Sequence, residues 1–79
     1  MDVRLINAQA VLENVEAILR EYAEANGGCE VETKDAHLSS LRRVLKKDFE
    51  TATANSTPQN LKRLYATAII LEYYVNENY

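Results

Sequence analysis

Glycine and proline occur at only two points of this chain, and both residue types interrupt helices. The two glycines are adjacent, Gly27 and Gly28, and the single proline is Pro58. The three segments that they separate are each long enough for a helix of several turns. Because 79 residues are too few for two hydrophobic cores, we predict one domain over residues 1–79 that is built from three helices.

The first segment has the apolar periodicity of a helix with one buried side. Its apolar residues recur three or four positions apart, at Ala8, Val11, Leu12, Val15, Leu19 and Tyr22. Asn26, Gly27 and Gly28 then supply residues that tolerate the left-handed conformation found at helix C-termini. The pattern predicts a first helix over about residues 3–26, followed by a loop over residues 29–33.

The second segment begins with residues that can cap a helix. Thr33 or Asp35 can accept a hydrogen bond from the backbone of the first turn. The apolar side of this predicted helix contains Leu38, Leu41, Leu45, Phe49 and Ala52. Threonine, asparagine and serine are frequent over residues 51–57, and their side chains compete with the helix for backbone hydrogen bonds. We therefore predict a second helix over residues 34–53.

The third helix has the clearest start, because Thr57 can cap it and Pro58 suits the first helical position. We predict this helix over residues 58–76. One side should pack on the first two helices, through Leu61, Leu64, Tyr65, Ala68, Leu71 and Val75. The predicted fold is all-α, a three-helix bundle with up-down-up topology.

The third helix also has apolar residues on the side opposite its predicted core contacts. Each helix of a three-helix bundle is covered over only part of its circumference, and large exposed apolar patches usually mark interaction surfaces. Tyrosine is enriched at such interfaces. We therefore predict a partner-binding surface on the outer face of the third helix, made of Ala66, Ile69, Ile70, Tyr73 and Tyr74. The partner is another protein or a second copy of the chain, as in a homodimer, and the remaining alternative is that the chain's own termini cover this surface.

A basic flank on the second helix provides the alternative function, nucleic-acid binding. Its predicted contact residues are Lys34, Arg42, Arg43, Lys46 and Lys47. The net charge of −3 and the isoelectric point near 5.0 work against attraction to phosphates. A solvated flank with acidic neighbours such as Asp48 and Glu50 is the favoured interpretation.

No arrangement of residues in the sequence indicates catalysis, a metal or a cofactor. The single cysteine, Cys29, has no partner for an internal disulfide, and the single histidine, His37, has no second ligand at metal-binding spacing. Ser39 and Ser40 lack a nucleophile motif. Glu72 falls among apolar residues, and we expect it to pair with Arg42 or with a tyrosine hydroxyl. We predict a non-enzymatic protein without a small-molecule substrate.

The predicted location is the cytoplasm. A lone cysteine suits a reducing compartment. The first residues do not form a secretion signal, and no apolar run approaches the roughly 18 residues that a membrane span requires. We expect no membrane association.

Leu41, Leu45 and Phe49 form a pattern similar to the second helix of acyl carrier proteins. Those proteins carry their prosthetic group on the serine of an Asp-Ser-Leu motif at the start of that helix. Lys34, Asp35 and Ala36 occupy this place here. The chain therefore departs from the family at the residue on which carrier activity depends, and we assign it to no family.

These observations favour a small protein-interaction module, such as an inhibitor, an adaptor or a regulatory subunit. It would act by covering or bridging its partner. Accessory proteins encoded by phages or plasmids are often this short, which is an analogy of size alone.

Overall fold

The computed structural model describes residues 3–28 and 34–79, and these residues form three helices. The helices are α1 (Val3–Ala25), α2 (Ala36–Ala54) and α3 (Pro58–Asn78). No strand occurs within the described ranges. The predicted all-α three-helix bundle is confirmed, and the predicted spans of 3–26, 34–53 and 58–76 differ from the observed bounds by at most two residues. The predicted loop over residues 29–33 lies outside the described residues.

Backbone hydrogen bonds explain where α1 ends and α2 begins. The N–H of Gly28 donates to the carbonyl of Ala23 at 2.7 Å, and Gly27 and Gly28 have φ angles of 78° and 79°. A side chain on either residue would be strained in this left-handed conformation. Asp35 caps α2 by accepting a hydrogen bond from the N–H of Leu38 at 3.0 Å. This cap places the start of α2 at Ala36 rather than at the predicted residue 34.

The connection between α2 and α3 is short and is held by side-chain hydrogen bonds. The hydroxyl of Ser56 donates to the carbonyl of Ala52 at 2.8 Å, after α2 has ended at Ala54. Thr57 accepts from the N–H of Asn60 at 3.2 Å, and Pro58 is the first residue of α3. The predicted N-cap and first-turn proline are therefore both present.

Helix α3 is the central element of the bundle. It packs closely against both α1 and α2, whereas α1 and α2 contact each other only slightly. The core is apolar throughout the described residues, with Leu5, Ala8, Val15, Leu19, Leu38, Leu45, Ala52, Leu61, Leu64, Ala68, Leu71 and Val75 buried. The side of α3 that carries its five buried residues therefore faces both other helices.

The helices run in the predicted up-down-up order. Arg4 of α1 lines a pocket with Pro58 from the first turn of α3, so these two N-termini lie at one end of the bundle. At the other end, the rings of Tyr22 and Tyr79 meet edge to face with their centroids 4.8 Å apart. Asp35, at the start of α2, also lies at this end, in contact with Tyr79. The bundle measures 42 × 20 × 20 Å.

Tyr65 differs from its predicted place on the core side of α3. Its side chain is 48% exposed, although Leu61 and Leu64 nearby are buried. Tyr65 lies at the edge of the apolar side, and its ring lines the open pocket that also includes Lys62. The contact between α1 and α3 is thus narrower at this level than helical periodicity alone predicts.

Candidate protein-interaction surface

Five neighbouring apolar and aromatic residues of α3 are exposed to solvent. We call this set the α3 surface, and it comprises Tyr65, Ala66, Ile69, Ile70 and Tyr73. The exposed fractions are 48% for Tyr65 and Ile69, 54% for Ile70 and 68% for Tyr73. An exposed patch of this composition, with two tyrosines and two isoleucines on adjacent turns, has the chemistry of a protein interface.

The position of α3 in the bundle explains why this surface is open. Residues on a helix advance about 100° per position, so residues two apart lie on nearly opposite sides. Tyr73 stands between Leu71 and Val75, both fully buried, and consequently points away from the core. Both α1 and α2 pack on the core side of α3, which leaves no helix among the described residues to cover the opposite side.

The structure brings together four of the five predicted contact residues and separates the fifth. Ala66, Ile69, Ile70 and Tyr73 all belong to the α3 surface, whereas Tyr74 is half-buried against the core. The side chain of Tyr74 turns toward α2, where its ring contacts the ring of His37 at a centroid distance of 4.7 Å. Tyr65 extends the surface instead.

Tyr74 belongs to a second group of residues, which we call the tyrosine–aspartate cluster and which comprises Tyr22, Asp35, Tyr74 and Tyr79. The hydroxyl of Tyr74 donates to both carboxylate oxygens of Asp35, at 3.0 Å and 2.8 Å. The hydroxyl of Tyr79 donates to Oδ2 of Asp35 at 2.5 Å. The ring of Tyr79 contacts that of Tyr22. The cluster therefore joins the C-terminal ends of α1 and α3 to the N-terminus of α2.

The ionisation of these groups follows from their hydrogen bonds. The phenol of Tyr79 and the N–H of Leu38 donate to the Asp35 carboxylate and lower the pKa of Asp35 below its ordinary value, against a smaller opposing effect of burial. Burial and the bond to Asp35 raise the pKa of Tyr79. The bond to Asp35, together with burial, also raises the pKa of Tyr74. At neutral pH Asp35 is thus a carboxylate, and it accepts hydrogen bonds from the neutral phenols of Tyr74 and Tyr79.

A sequence signal for this cluster exists, although periodicity does not reveal it. Tyr22, Tyr74 and Tyr79 all stand near the C-terminal ends of helices that run in the same direction. In an up-down-up bundle, that end also receives the N-cap of the middle helix, here Asp35. The expected topology combined with the expected cap would have placed these phenols near a carboxylate.

The basic flank of α2 is partly engaged in contacts within the protein. Lys34, Arg43, Lys46 and Lys47 have exposed side chains. Arg42 donates to Oε1 of Glu16 at 3.1 Å, which links α2 to α1. This contact differs from the predicted pairing of Arg42 with Glu72.

Glu50 brings negative charge to the same flank. It is exposed and lies one helical turn beyond Lys46. Arg42 is paired with Glu16, and Glu50 lies near Lys46 and Lys47. The flank therefore has less net positive charge than its lysines and arginines alone provide.

The remaining features that could support chemistry are few. Among the described residues, no group of three His, Cys, Asp or Glu side chains could hold a metal ion. The pocket lined by Arg4, Pro58, Lys62 and Tyr65 has a volume of about 430 Å³ and opens widely to solvent. Cys29 lies outside the described residues.

Within residues 3–28 and 34–79, no helix combines the length and the hydrophobicity that crossing a membrane requires. The chain matches no known protein family, no curated protein and no solved structure.

Proposed function

We propose that this protein is a non-enzymatic interaction module that binds another protein, or a second copy of itself, through the α3 surface. The observation that carries the proposal is the exposure of this surface on the central helix of the bundle. Ile70 and Tyr73 are 54% and 68% exposed on a helix whose other side is fully buried. An inhibitor, an adaptor or a regulatory subunit of the cytoplasm would use such a surface by covering or bridging its target.

The α3 surface is large enough to contribute real binding free energy. A tyrosine side chain offers about 200 Å², so the exposed fractions of Tyr65 and Tyr73, 48% and 68%, leave roughly 230 Å² of tyrosine surface open. At about 25 cal/mol per Å², covering that area alone favours association by roughly 6 kcal/mol before the entropic cost of binding. Ile69 and Ile70 add to this gain.

The surface is also held in place before binding. Leu64, Leu71 and Val75 anchor α3 in the core directly behind it. A partner therefore meets a helix that is already formed, and little additional ordering of the backbone is needed. Preorganised aromatic contacts of this kind are common among the residues that dominate interface energies.

The binding test is to replace two residues of the α3 surface by charges. The variant Ile70→Glu with Tyr73→Glu should lose its captured partner, or its self-association, because carboxylates would have to be buried in the interface. Partner capture is measured by affinity purification from the native host with mass spectrometry, and self-association by light scattering. Circular dichroism should report an unchanged helical content, since both side chains are exposed.

The matched control is Val3→Glu with Ile6→Glu on α1. These residues are 66% and 51% exposed, close to the values for Tyr73 and Ile70, and the variant adds the same charge. The control should keep the partner or the self-association. The proposal fails if the α3 variant retains every co-purifying protein and the native solution mass, or if the control loses them equally.

Nucleic-acid binding by the basic flank has weaker support. The exposure of Arg43, Lys46 and Lys47 favours it, but the pairing of Arg42 with Glu16 and the presence of Glu50 work against it. The overall charge of −3 also opposes attraction to a polyanion.

A further inference from the structure

We propose that the α3 surface pairs two copies of this chain in an antiparallel, two-fold symmetric dimer. This inference rests on the proposed function and specifies the partner. Its basis is the order of chemical groups along the exposed side of α3, which is complementary to itself when one copy is reversed.

The charges at the two ends of the surface are opposite in sign. Lys62 lies near the start of α3 and Glu77 near its end, and both are exposed. They are about four turns apart, which places them on the same side of the helix as the α3 surface. Neither forms an ion pair with any other residue that the structure describes. Both charges therefore remain available at the rim of an interface.

An antiparallel pairing centred between Ile69 and Ile70 matches these groups. In that register, Ile69 of each copy lies opposite Ile70 of the other, and Lys62 lies opposite Glu77. Ala66 lies opposite Tyr73, so the smallest residue of the surface faces the most exposed tyrosine. Large-against-small contacts allow two helices to approach closely, and each favourable contact occurs twice because of the two-fold axis.

A parallel pairing has the opposite electrostatics. It would place Lys62 against Lys62 and Glu77 against Glu77, which is unfavourable at both ends. Antiparallel helices also align their dipoles favourably. The charges at the rim and the sizes of the facing side chains therefore both favour the antiparallel orientation.

The dimer would also bury the exposed apolar side of α3, which no described helix of the same copy covers. Small domains often gain stability from a second subunit. The exposed area of the α3 surface is smaller than the roughly 1,200–2,000 Å² that stable interfaces bury, so we expect a weak dimer that dissociates at micromolar to millimolar concentration.

The test uses charge reversal at the two rim positions. Lys62→Glu and Glu77→Lys should each weaken self-association by roughly tenfold or more, because each creates two like-charge contacts. An equimolar mixture of the two variants should recover the dimer, since every contact is then between opposite charges. Sedimentation equilibrium from micromolar to millimolar concentration measures all three samples.

Lys47→Glu on α2 is the matched control, because it makes the same charge change at an exposed lysine away from the α3 surface. It should leave dimerisation unchanged. Recovery in the mixture cannot come from misfolded chains, so it separates an effect of charge from a folding defect, whereas the weakening in each single variant distinguishes the antiparallel from the parallel orientation. A dimer that does not respond to either reversal, or two variants that do not recover on mixing, would overturn the antiparallel arrangement.

The outcomes separate this inference from the proposed function. If the native chain stays monomeric up to millimolar concentration while Ile70→Glu with Tyr73→Glu loses a captured protein, the dimer is wrong and the function stands. If a dimer forms but persists in that double variant, the dimer interface is wrong, and the proposed function fails as well if the variant also retains every co-purifying protein.

Discussion

Replacement of Asp35 by alanine should destabilise the fold, because this side chain holds the start of α2 and the end of α3 together. The substitution removes the N-cap bond to the N–H of Leu38, at 3.0 Å, and the hydrogen bonds that Tyr74 and Tyr79 donate. Loss of an N-cap costs about 1 kcal/mol. The bond that this partly buried carboxylate accepts from the phenol of Tyr79 adds roughly 1–2 kcal/mol, after allowance for solvent screening. We expect a total loss of about 2–3 kcal/mol.

That loss is a large part of the stability that such a domain has. At about 0.05–0.15 kcal/mol per residue, a chain of 79 residues has a free energy of unfolding of roughly 4–12 kcal/mol. The midpoint of thermal unfolding should fall by roughly 10–20 °C in the Asp35→Ala variant. Urea and thermal unfolding at pH 7, followed by circular dichroism, measure both quantities.

Asp35→Asn is the matched control, because asparagine is also a good N-cap but has no charge. The Asp35→Asn variant should lose only the part of the free energy of unfolding that depends on the charge of Asp35. The pKa of Asp35 is lowered in the folded protein, so its charge stabilises the fold above the unfolded pKa of about 3.9, and this contribution is lost as pH falls through the folded pKa. The difference between wild type and Asp35→Asn should therefore shrink toward zero in acid. An undiminished difference at pH 2, or no difference at pH 7, would refute the reasoning.

Two further predictions concern titration and charge. The pKa values of Tyr74 and Tyr79 are raised in the folded protein, so the contribution of these phenols to stability should be complete below the unfolded pKa of about 10 and should be lost as pH rises above it. Replacing both tyrosines by phenylalanine should abolish this loss of stability at alkaline pH, which urea titrations followed by circular dichroism measure. Replacing Arg43, Lys46 and Lys47 together by glutamine should leave partner capture unchanged, and gel shifts should detect no salt-sensitive DNA binding by the native chain. If the native chain instead binds DNA strongly at low salt and this variant does not, the nucleic-acid alternative is supported.

Local sequence signals predicted most of the helix boundaries. Thr57 and Pro58 act on the first turn of their own helix, and Gly27 and Gly28 act within a few residues of the end of theirs. Such signals depend on backbone conformation and on hydrogen bonds between near neighbours, which can be recognised before any tertiary contact is known. The observed bounds consequently lie close to those expected.

The candidate surface was predictable only in part. Periodicity indicated that α3 has apolar residues on both sides, and Ile70 and Tyr73 are indeed exposed. Periodicity did not indicate that Tyr74 turns toward α2 or that Tyr65 remains half-exposed at the edge of α1. Both differences arise at the margins of the buried side, where the width of each helix contact decides exposure.

The sequence by itself determined three helices, their caps and the apolar character of α3 around most of its circumference. Only the tertiary structure decided that α3 is central and that its phenols divide between a surface and a cluster. The physical reason is that these contacts join residues far apart in the sequence. Asp35 and Tyr79 are 44 positions apart, and their contact depends on how three helices pack and on which ends meet. Helical periodicity describes one helix at a time and does not indicate which ends of different helices contact each other.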